Sequence, residues 1–143
     1  MDYVWFILLG HIFGDYFTQP AYLAFSKKEK TLEGLLCCLV HSTIYSILVC
    51  LIMFIYTTRF NSMSFILILI SHFIVDRYSI IDLYCKIIRI RTWKSHIDLD
   101  NIESYLTKLE GIHLSFGVLV YVIIDNTIHI LTNILIFKLY NII

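Results

Sequence analysis

Two stretches of the chain repeat one pattern: LLGHIFGDYF at residues 8–17 and LISHFIVDRY at residues 69–78. Each places an aspartate four residues after a histidine within an apolar run, which gives the pairs His11–Asp15 and His72–Asp76. Residues four apart lie on one face of a helix, one turn from each other. An ionisable side chain at the centre of a membrane helix costs at least about 2.5 kcal/mol, so such residues usually mark a functional site.

The composition of the chain predicts a membrane protein. Of its 143 residues, 59% are hydrophobic and 15% are charged, whereas soluble domains are roughly half apolar and a quarter charged. A bilayer is crossed by about 20 apolar residues in a helix. We predict an all-α, integral membrane four-helix bundle, a single domain over residues 1–143 with spans at residues 3–19, 32–57, 63–85 and 112–139. The formal net charge of zero argues against a nucleic-acid partner.

The basic residues predict the orientation of these spans. Two of them, Arg59 and Lys138, lie on one side of the membrane. The loops after spans one and three, with the adjoining helix ends, hold eight: Lys27, Lys28, Lys30, Lys86, Arg89, Arg91, Lys94 and Lys108. By the positive-inside rule these loops are cytoplasmic and both termini lie outside. In the longer loop, apolar residues recur at helical spacing, which predicts a short amphipathic helix at residues 98–110 on the inner leaflet.

The other two spans also carry candidate ligands. Span two has His41, and span four has the pair in reverse order, Asp125 then His129. Because span four runs opposite to spans one and three, the reversal brings three histidines to one depth and three aspartates one turn deeper, not far from the midplane. HSTIY at residues 41–45 also matches DNTIH at residues 125–129. We therefore predict two duplicated helical hairpins.

Histidine nitrogen together with carboxylate oxygen is the ligand set of zinc, iron or manganese. The predicted ligands are His11, Asp15, His41, His72, Asp76, Asp125 and His129. Seven ligands exceed the three or four protein ligands that one zinc ion takes, so we predict two divalent ions. Zinc is the first choice and manganese or iron the alternatives. The competing interpretation is that His–Asp hydrogen bonds between helices hold the bundle together.

Further polar residues have candidate roles beside the ions. Gln19 extends the His11–Asp15 stripe by one more turn and could hold a ligand or substrate. Tyr45 could orient a metal-bound water. Arg77 points away from the stripe and could contact a phosphate, pair with another carboxylate, or extend towards the headgroups. The spacing of Gly10 and Gly14 predicts a close approach of two helices.

Three motifs of the chain resemble those of an uncharacterised bacterial and phage membrane family, a domain of unknown function: His11-x-x-Gly14-Asp15-Tyr16-x-x-Gln19, His72-x-x-x-Asp76 and Asp125-Asn126-x-x-His129. The resemblance covers nearly the whole chain, and it implies the bacterial cytoplasmic membrane as the location. That family commonly has glutamine where this chain has Asn126. The stretch SHFIVD at residues 71–76 is also similar to a segment of membrane-bound metal-dependent hydrolases.

We predict a metal-dependent hydrolase that acts on a phosphoester or other polar bond of a membrane lipid. Such an enzyme needs a cavity that reaches the ions from the outer leaflet or laterally from the lipid. One alternative is a transporter or channel for metal ions or protons, which needs a polar path to both faces. The other is a metal-stabilised structural or partner-binding protein with a closed site. The sequence leaves the substrate, the protein partners and any homo-oligomer open.

Overall fold

The computed structural model describes residues 2–87 and 108–143, and the regular elements in this part of the chain are all helical. The prediction of an all-α fold class is therefore confirmed for these residues. The elements are α1 (Tyr3–Ile12), a π-helical turn (Phe13–Phe17), α2 (Ala21–Ser26), α3 (Leu32–Thr57), α4 (Ser62–Arg77), α5 (Ile80–Ile87) and α6 (Lys108–Leu139). Of the amphipathic helix predicted at 98–110, residues 98–107 lie outside the described residues and the last three belong to α6.

The chain divides into two compact units. The first unit consists of Met1–Ile80 and Ile128–Ile143, and the second of Ile81–Thr127. The first unit thus contains α1 to α4 and the C-terminal part of α6, and it holds most of the predicted ligands. The second unit contains most of α5 and the N-terminal part of α6, including Asp125 and Asn126.

The first helical region ends earlier than the predicted span at residues 3–19. The α-helix changes to a π-helical turn at Phe13, where the backbone N–H of Thr18 donates to the carbonyl of Phe13 at 3.2 Å. Pro20 then takes an extended conformation as the N-cap residue of α2, which begins at Ala21. A residue that precedes proline is disfavoured in the helical region, and this explains the break at Gln19. π-Helical turns of this kind often occur at functional sites.

Side-chain caps fix the start of α3 and of α4. The hydroxyl of Thr31 accepts a hydrogen bond from the backbone N–H of Gly34 at 3.0 Å. In the same way, the side-chain oxygen of Asn61 accepts from Ser64 N–H at 3.1 Å. Each cap satisfies one backbone donor that has no partner within the helix. Between these helices, Thr58 ends α3 in the left-handed conformation, with φ of 55°.

The region of the predicted third span, residues 63–85, contains two helices instead of one. The helix α4 ends at Arg77, and α5 begins at Ile80. Ser79 between them has φ of 50°, a left-handed conformation that terminates a helix. As a result, Asp76 lies in the last turn of α4.

Both α1 and α4 pack against α3. A Cβ atom on Gly10 would lie 3.0 Å from the Cα of Val49, and one on Gly14 would lie 2.6 Å from the Tyr45 ring. The close approach predicted from these two glycines is therefore confirmed. Gly10 faces Val49 and Gly14 faces Tyr45, so residue numbers fall along α3 as they rise along the first helical region. The two helical regions are therefore antiparallel. This arrangement turns His41 and Tyr45 towards the His11–Asp15 face.

The apolar core of the first unit lies beside the polar ligand residues. It consists of Ile7, Tyr45, Val49, Cys50, Met53, Ile68, Ile136, Phe137 and Ile142. Large apolar side chains also cover the outside of the helices, and Trp5, Ile55 and Leu135 are each 67% exposed. Among the described residues, two helical stretches are long and apolar enough to cross a membrane, Leu32–Thr57 and Leu119–Leu139, while Tyr3–Phe17 is a shorter apolar helix.

Candidate metal centre

Within the first unit, the structure brings together six predicted ligands. They are His11, Asp15, His41, His72, Asp76 and His129, and we call them the histidine–aspartate cluster. The four histidines are almost fully buried, and Asp15 and Asp76 are slightly more accessible, at 12% and 8%. His11 with Asp15 and His72 with Asp76 each reach the cluster from one face of their helical region, as their four-residue spacing predicted.

Four ligand atoms converge at the centre of the cluster. The Nε2 atoms of His41 and His72 lie 3.0 Å apart. Asp15 Oδ1 lies 3.1 Å from His41 Nε2 and 3.4 Å from His72 Nε2. On the other side, Asp76 Oδ2 lies 3.4 Å from each of the two nitrogens. Each carboxylate oxygen therefore lies beside the same pair of imidazole nitrogens, and three helical regions supply the four atoms.

The spacing of each carboxylate oxygen with the two imidazole nitrogens matches that of three ligands around a tetrahedral metal ion. Ligands about 2.0 Å from a tetrahedral ion lie about 3.3 Å from one another. The five separations between atoms of different residues given above run from 3.0 to 3.4 Å. Asp15, His41 and His72 form one group that could hold a metal ion, and His72, Asp76 and His129 form another. The donor set and its dimensions thus fit zinc or a similar divalent ion.

The second oxygen of each carboxylate faces an outer histidine. Asp15 Oδ2 lies 3.2 Å from His11 Nδ1, and Asp76 Oδ1 lies 3.8 Å from His129 Nε2. The ring centroid of His129 is 5.7 Å from that of His11 and 4.3 Å from that of His72. Each aspartate therefore joins the central four atoms to an outer histidine.

Tyr45 supports two of the histidines from behind. Its hydroxyl lies 3.0 Å from His11 Nδ1 and accepts a hydrogen bond from the side-chain amide of Asn133 at 2.8 Å. Its ring stacks on His72, with centroids 3.7 Å apart and planes inclined by 18°. Tyr45 thus fixes the orientation of candidate ligands from two helices. Sequence reasoning missed Asn133, although it lies one turn after His129 and continues the Asp125–His129 stripe.

Lys27 is a second residue that the sequence did not single out as part of the site. Its ammonium donates to Asp76 Oδ2 at 2.6 Å, and its side chain is 12% exposed. Lys27 follows α2, and the sequence pattern marked it only as one of several basic residues that set the orientation. No spacing rule links it to Asp76, 49 positions away.

Arg77 has a structural role that differs from those considered for it. Its guanidinium donates to the backbone carbonyl of Lys27 at 3.1 Å and to that of Glu29. The same segment packs closely on the start of α3, because a Cβ on Gly34 would lie 2.7 Å from the carbonyl oxygen of Ser26. The segment that carries Lys27 is therefore attached to both α3 and α4, beside the cluster.

The start of α2 is attached to α3 by a further contact. The hydroxyl of Tyr22 donates a hydrogen bond to the Glu33 carboxylate. This hydrogen bond raises the pKa of the Tyr22 phenol to about 12. Tyr22 is exposed and belongs to the surface of this region.

Three predicted site residues, Gln19, Asp125 and Asn126, are not among the six residues that define the cluster. Gln19 falls between the π-helical turn and α2, so it does not continue the His11–Asp15 stripe, and its side-chain nitrogen has no hydrogen-bond partner among the described residues. Asp125 and Asn126 belong to the second unit. An apolar cavity of about 450 Å³ is lined by residues outside the cluster: Ile47, Cys50, Leu51, Phe54, Phe60 and Phe65.

Comparison with known proteins identifies a family for the chain. No curated protein and no solved structure matches the chain. A family model described as "Protein of unknown function (DUF3307)" matches residues 4–143. Because this match covers almost the whole chain, the protein belongs to the DUF3307 family, whose function is unknown.

Proposed function

We propose that this protein is an integral membrane metalloenzyme that hydrolyses a phosphoester or other polar bond of a membrane lipid. The observation that carries the proposal is the convergence of His41 Nε2, His72 Nε2, Asp15 Oδ1 and Asp76 Oδ2 at separations of 3.0 to 3.4 Å. The proposed cofactor is a pair of divalent ions, zinc in the first place and manganese or iron otherwise. The proposed ligands are the cluster residues together with Asp125.

The charge of the cluster supports a bound cation. Two carboxylates and the Lys27 ammonium leave an excess of one negative charge when the histidines are neutral. An uncompensated charge in an apolar interior is costly. One divalent ion would bring the group to a single positive charge, which favours an anion such as hydroxide or a phosphate oxygen. The competing interpretation, direct His–Asp hydrogen bonds, needs a protonated histidine to reach neutrality.

The arrangement of the two carboxylates supports a pair of bound ions. Asp15 and Asp76 each direct one oxygen at the central atoms and the other at an outer histidine, His11 or His129. Carboxylates in this arrangement can bridge two ions. A pair of ions activates a water molecule and stabilises the charge that develops on a leaving group. The cluster side chains would hold the ions, and Tyr45 with Asn133 would orient the histidines.

A membrane location is supported by the surface of the helices. Exposed apolar side chains such as Trp5, Phe17 and Ile55 cover helices whose polar residues face inwards. We therefore keep the four-helix membrane bundle of two hairpins, with both termini outside and the Lys27 segment on the cytoplasmic side. The positions of the helix ends change the depth in the membrane that we propose for the carboxylates. Asp15 and Asp76 lie two residues and one residue before the ends at Phe17 and Arg77, so the carboxylates lie nearer the cytoplasmic surface than the midplane.

The apolar core argues for hydrolysis at one face over transport between two faces. Transport needs polar groups on both sides of the cluster. In the first unit, Ile7, Val49 and Met53 are fully buried beyond the histidines. Asp15 and Lys27, the more accessible side chains of the site, lie at the opposite end of the helices.

Lipid hydrolysis by the purified protein tests the proposal. The protein in detergent micelles, loaded with zinc or manganese, should release a soluble head group from a phospholipid or a lipid-linked phosphate. A chelator should abolish the release, and the metal should restore it. Asp76→Asn should be inactive, whereas the exposed Asp2→Asn should match the unchanged protein. Release that resists the chelator, or none from any lipid tested, would overturn the proposed reaction.

A further inference from the structure

We infer that Lys27 recognises the phosphate group of the substrate and that the substrate approaches the metal centre from the side of the Lys27 segment. This inference rests on the proposed function, because it names the substrate class of the same site. The proposed substrate class is a phosphate ester, either in a lipid headgroup or in a soluble molecule.

The position of Lys27 supports its proposed contact with phosphate. Its ammonium lies 2.6 Å from Asp76 Oδ2, one of the four central atoms. An anion bound at that centre would therefore lie within reach of the same ammonium. Lysine is a compact point charge on a flexible stem, and it commonly binds phosphate in this way. If Asp76 held a cation, its oxygen would share its charge with that cation, and the Lys27 ammonium would be available to an added anion.

The fixed position of the segment that carries Lys27 also supports phosphate recognition. A side chain that only paired with a surface carboxylate would need no fixed backbone. Here Arg77 donates to the carbonyls of Lys27 and Glu29, and Gly34 allows the segment to lie directly against α3. Two residues next to each other, Asp76 and Arg77, thus hold the side chain and the backbone of Lys27. This arrangement positions a cation beside the metal ligands before any substrate arrives.

The accessibility of the site gives the direction of approach. Asp15 and Lys27 are each 12% exposed, whereas His11, His41 and His72 are exposed by 1% or less. On the opposite side of the histidines lies the apolar core with Val49 and Met53. A charged substrate would therefore meet Lys27 and the carboxylates before it met the histidines. This approach is from the side opposite to the outer-leaflet entry expected from the sequence.

Binding of labelled inorganic phosphate tests the inference. Equilibrium dialysis of the zinc-loaded protein in detergent should detect phosphate binding to the unchanged chain. Lys27→Met, which keeps the length of the side chain without its charge, should weaken phosphate binding at least about tenfold. Lys30→Met changes an exposed residue of the same segment and should bind phosphate as the unchanged protein does. Lys27→Arg, which keeps the charge, should retain most of the binding.

Metal content, measured on the same samples, separates this inference from the proposed function. Lys27→Met should keep the metal content of the unchanged protein, because Lys27 is not a ligand. Equal phosphate binding by Lys27→Met and the unchanged chain would overturn the inference, as would no phosphate binding by the unchanged chain, whatever its metal content. Absence of metal from every sample would instead contradict the proposed cofactor.

A labelling experiment on the unchanged chain covers the case in which Lys27→Met does not fold. An amine-acylating reagent should modify Lys27 less when inorganic phosphate is present, whereas Lys30 should react equally in both conditions. Phosphatidic acid in mixed micelles and glycerol 3-phosphate then serve as competitors for the labelled phosphate. Displacement by the lipid alone supports a headgroup, and displacement by both supports a phosphate ester in general. Unchanged labelling of Lys27, or displacement by neither competitor, would overturn the inference.

Discussion

The two ends of the first unit differ in what holds them together. At one end, Ile7, Val49 and Met53 pack without polar atoms, with exposures of 1% or less. At the other end, equally buried positions are occupied by His11, His41 and His72. Burial of apolar side chains stabilises a fold without any ligand, whereas buried ionisable groups are costly unless they are paired or bind a cation. The comparison teaches that burial alone does not separate a structural residue from a functional one.

Tyr45 lies where these two ends meet. It belongs to the apolar core, and its hydroxyl contacts His11 and Asn133. Substitutions on either side of Tyr45 should therefore separate metal binding from stability. Of the three variants below, the first should lower metal affinity most, the second should lower it less, and the third should leave it unchanged.

Asp76→Asn should have the largest effect on metal binding. Loss of a residue that only supports a ligand costs about 10- to 100-fold in affinity, so loss of a direct carboxylate ligand should cost at least about 100-fold. Because the bound ion stabilises the folded protein, thermal stability in the presence of zinc should fall as well. Metal titration followed by thermal unfolding measures both quantities. Asp2→Asn is the matched control, and metal affinity unchanged by Asp76→Asn would mean that the ligand assignment is wrong.

Tyr45→Phe should have an intermediate effect. The variant keeps the ring that stacks on His72 but removes the hydroxyl that contacts His11 and Asn133. We expect metal affinity to fall by about tenfold, as for other residues that orient metal ligands. Competition with a chelating dye of known affinity measures the change. Tyr56→Phe is the control, because Tyr56 stacks on Phe6 away from the cluster.

Equal metal affinities for Tyr45→Phe and the unchanged protein would show that the Tyr45 hydroxyl serves packing alone.

Met53→Ala should have the smallest effect on the metal. Met53 is 1% exposed in the apolar core, and truncation should lower the free energy of unfolding by about 2 kcal/mol or more. The metal affinity of the folded protein should be unchanged. Denaturant titration in mixed micelles and metal titration at low denaturant measure the two effects separately. Ile55→Ala, at a 67% exposed position, should change neither. A lowered metal affinity in Met53→Ala would mean that the two ends are coupled.

Much of the cluster could be predicted from the sequence because its geometry is local. The four-residue spacing of His11 with Asp15 and of His72 with Asp76 fixes one face of each helix. Once α1 and α4 pack antiparallel to α3, those faces meet His41. Local spacing also predicted that these segments are helical and that Gly10 and Gly14 lie at the contact between two helices.

What could not be predicted depends on tertiary structure or on local backbone changes. The arrival of Lys27 at Asp76 follows from the course of the chain after Pro20, which no periodicity encodes. The left-handed conformation of Ser79 ends α4, although nothing in the apolar run of residues 63–85 marks a break. The π-helical turn between Phe13 and Phe17 likewise replaces a regular helix without a residue that requires it. Gln19 was misplaced for this reason, since its predicted position assumed a continuous helix.

The central claim is that the histidine–aspartate cluster binds a divalent ion. Elemental analysis of the detergent-purified protein, combined with anomalous scattering from its crystals, tests it most directly. We expect at least one zinc, manganese or iron ion per chain, with an anomalous peak between His41, His72, Asp15 and Asp76. A protein that contains none of these metals after purification and after incubation with each of them, and whose cluster side chains are hydrogen-bonded only to one another, would contradict the claim.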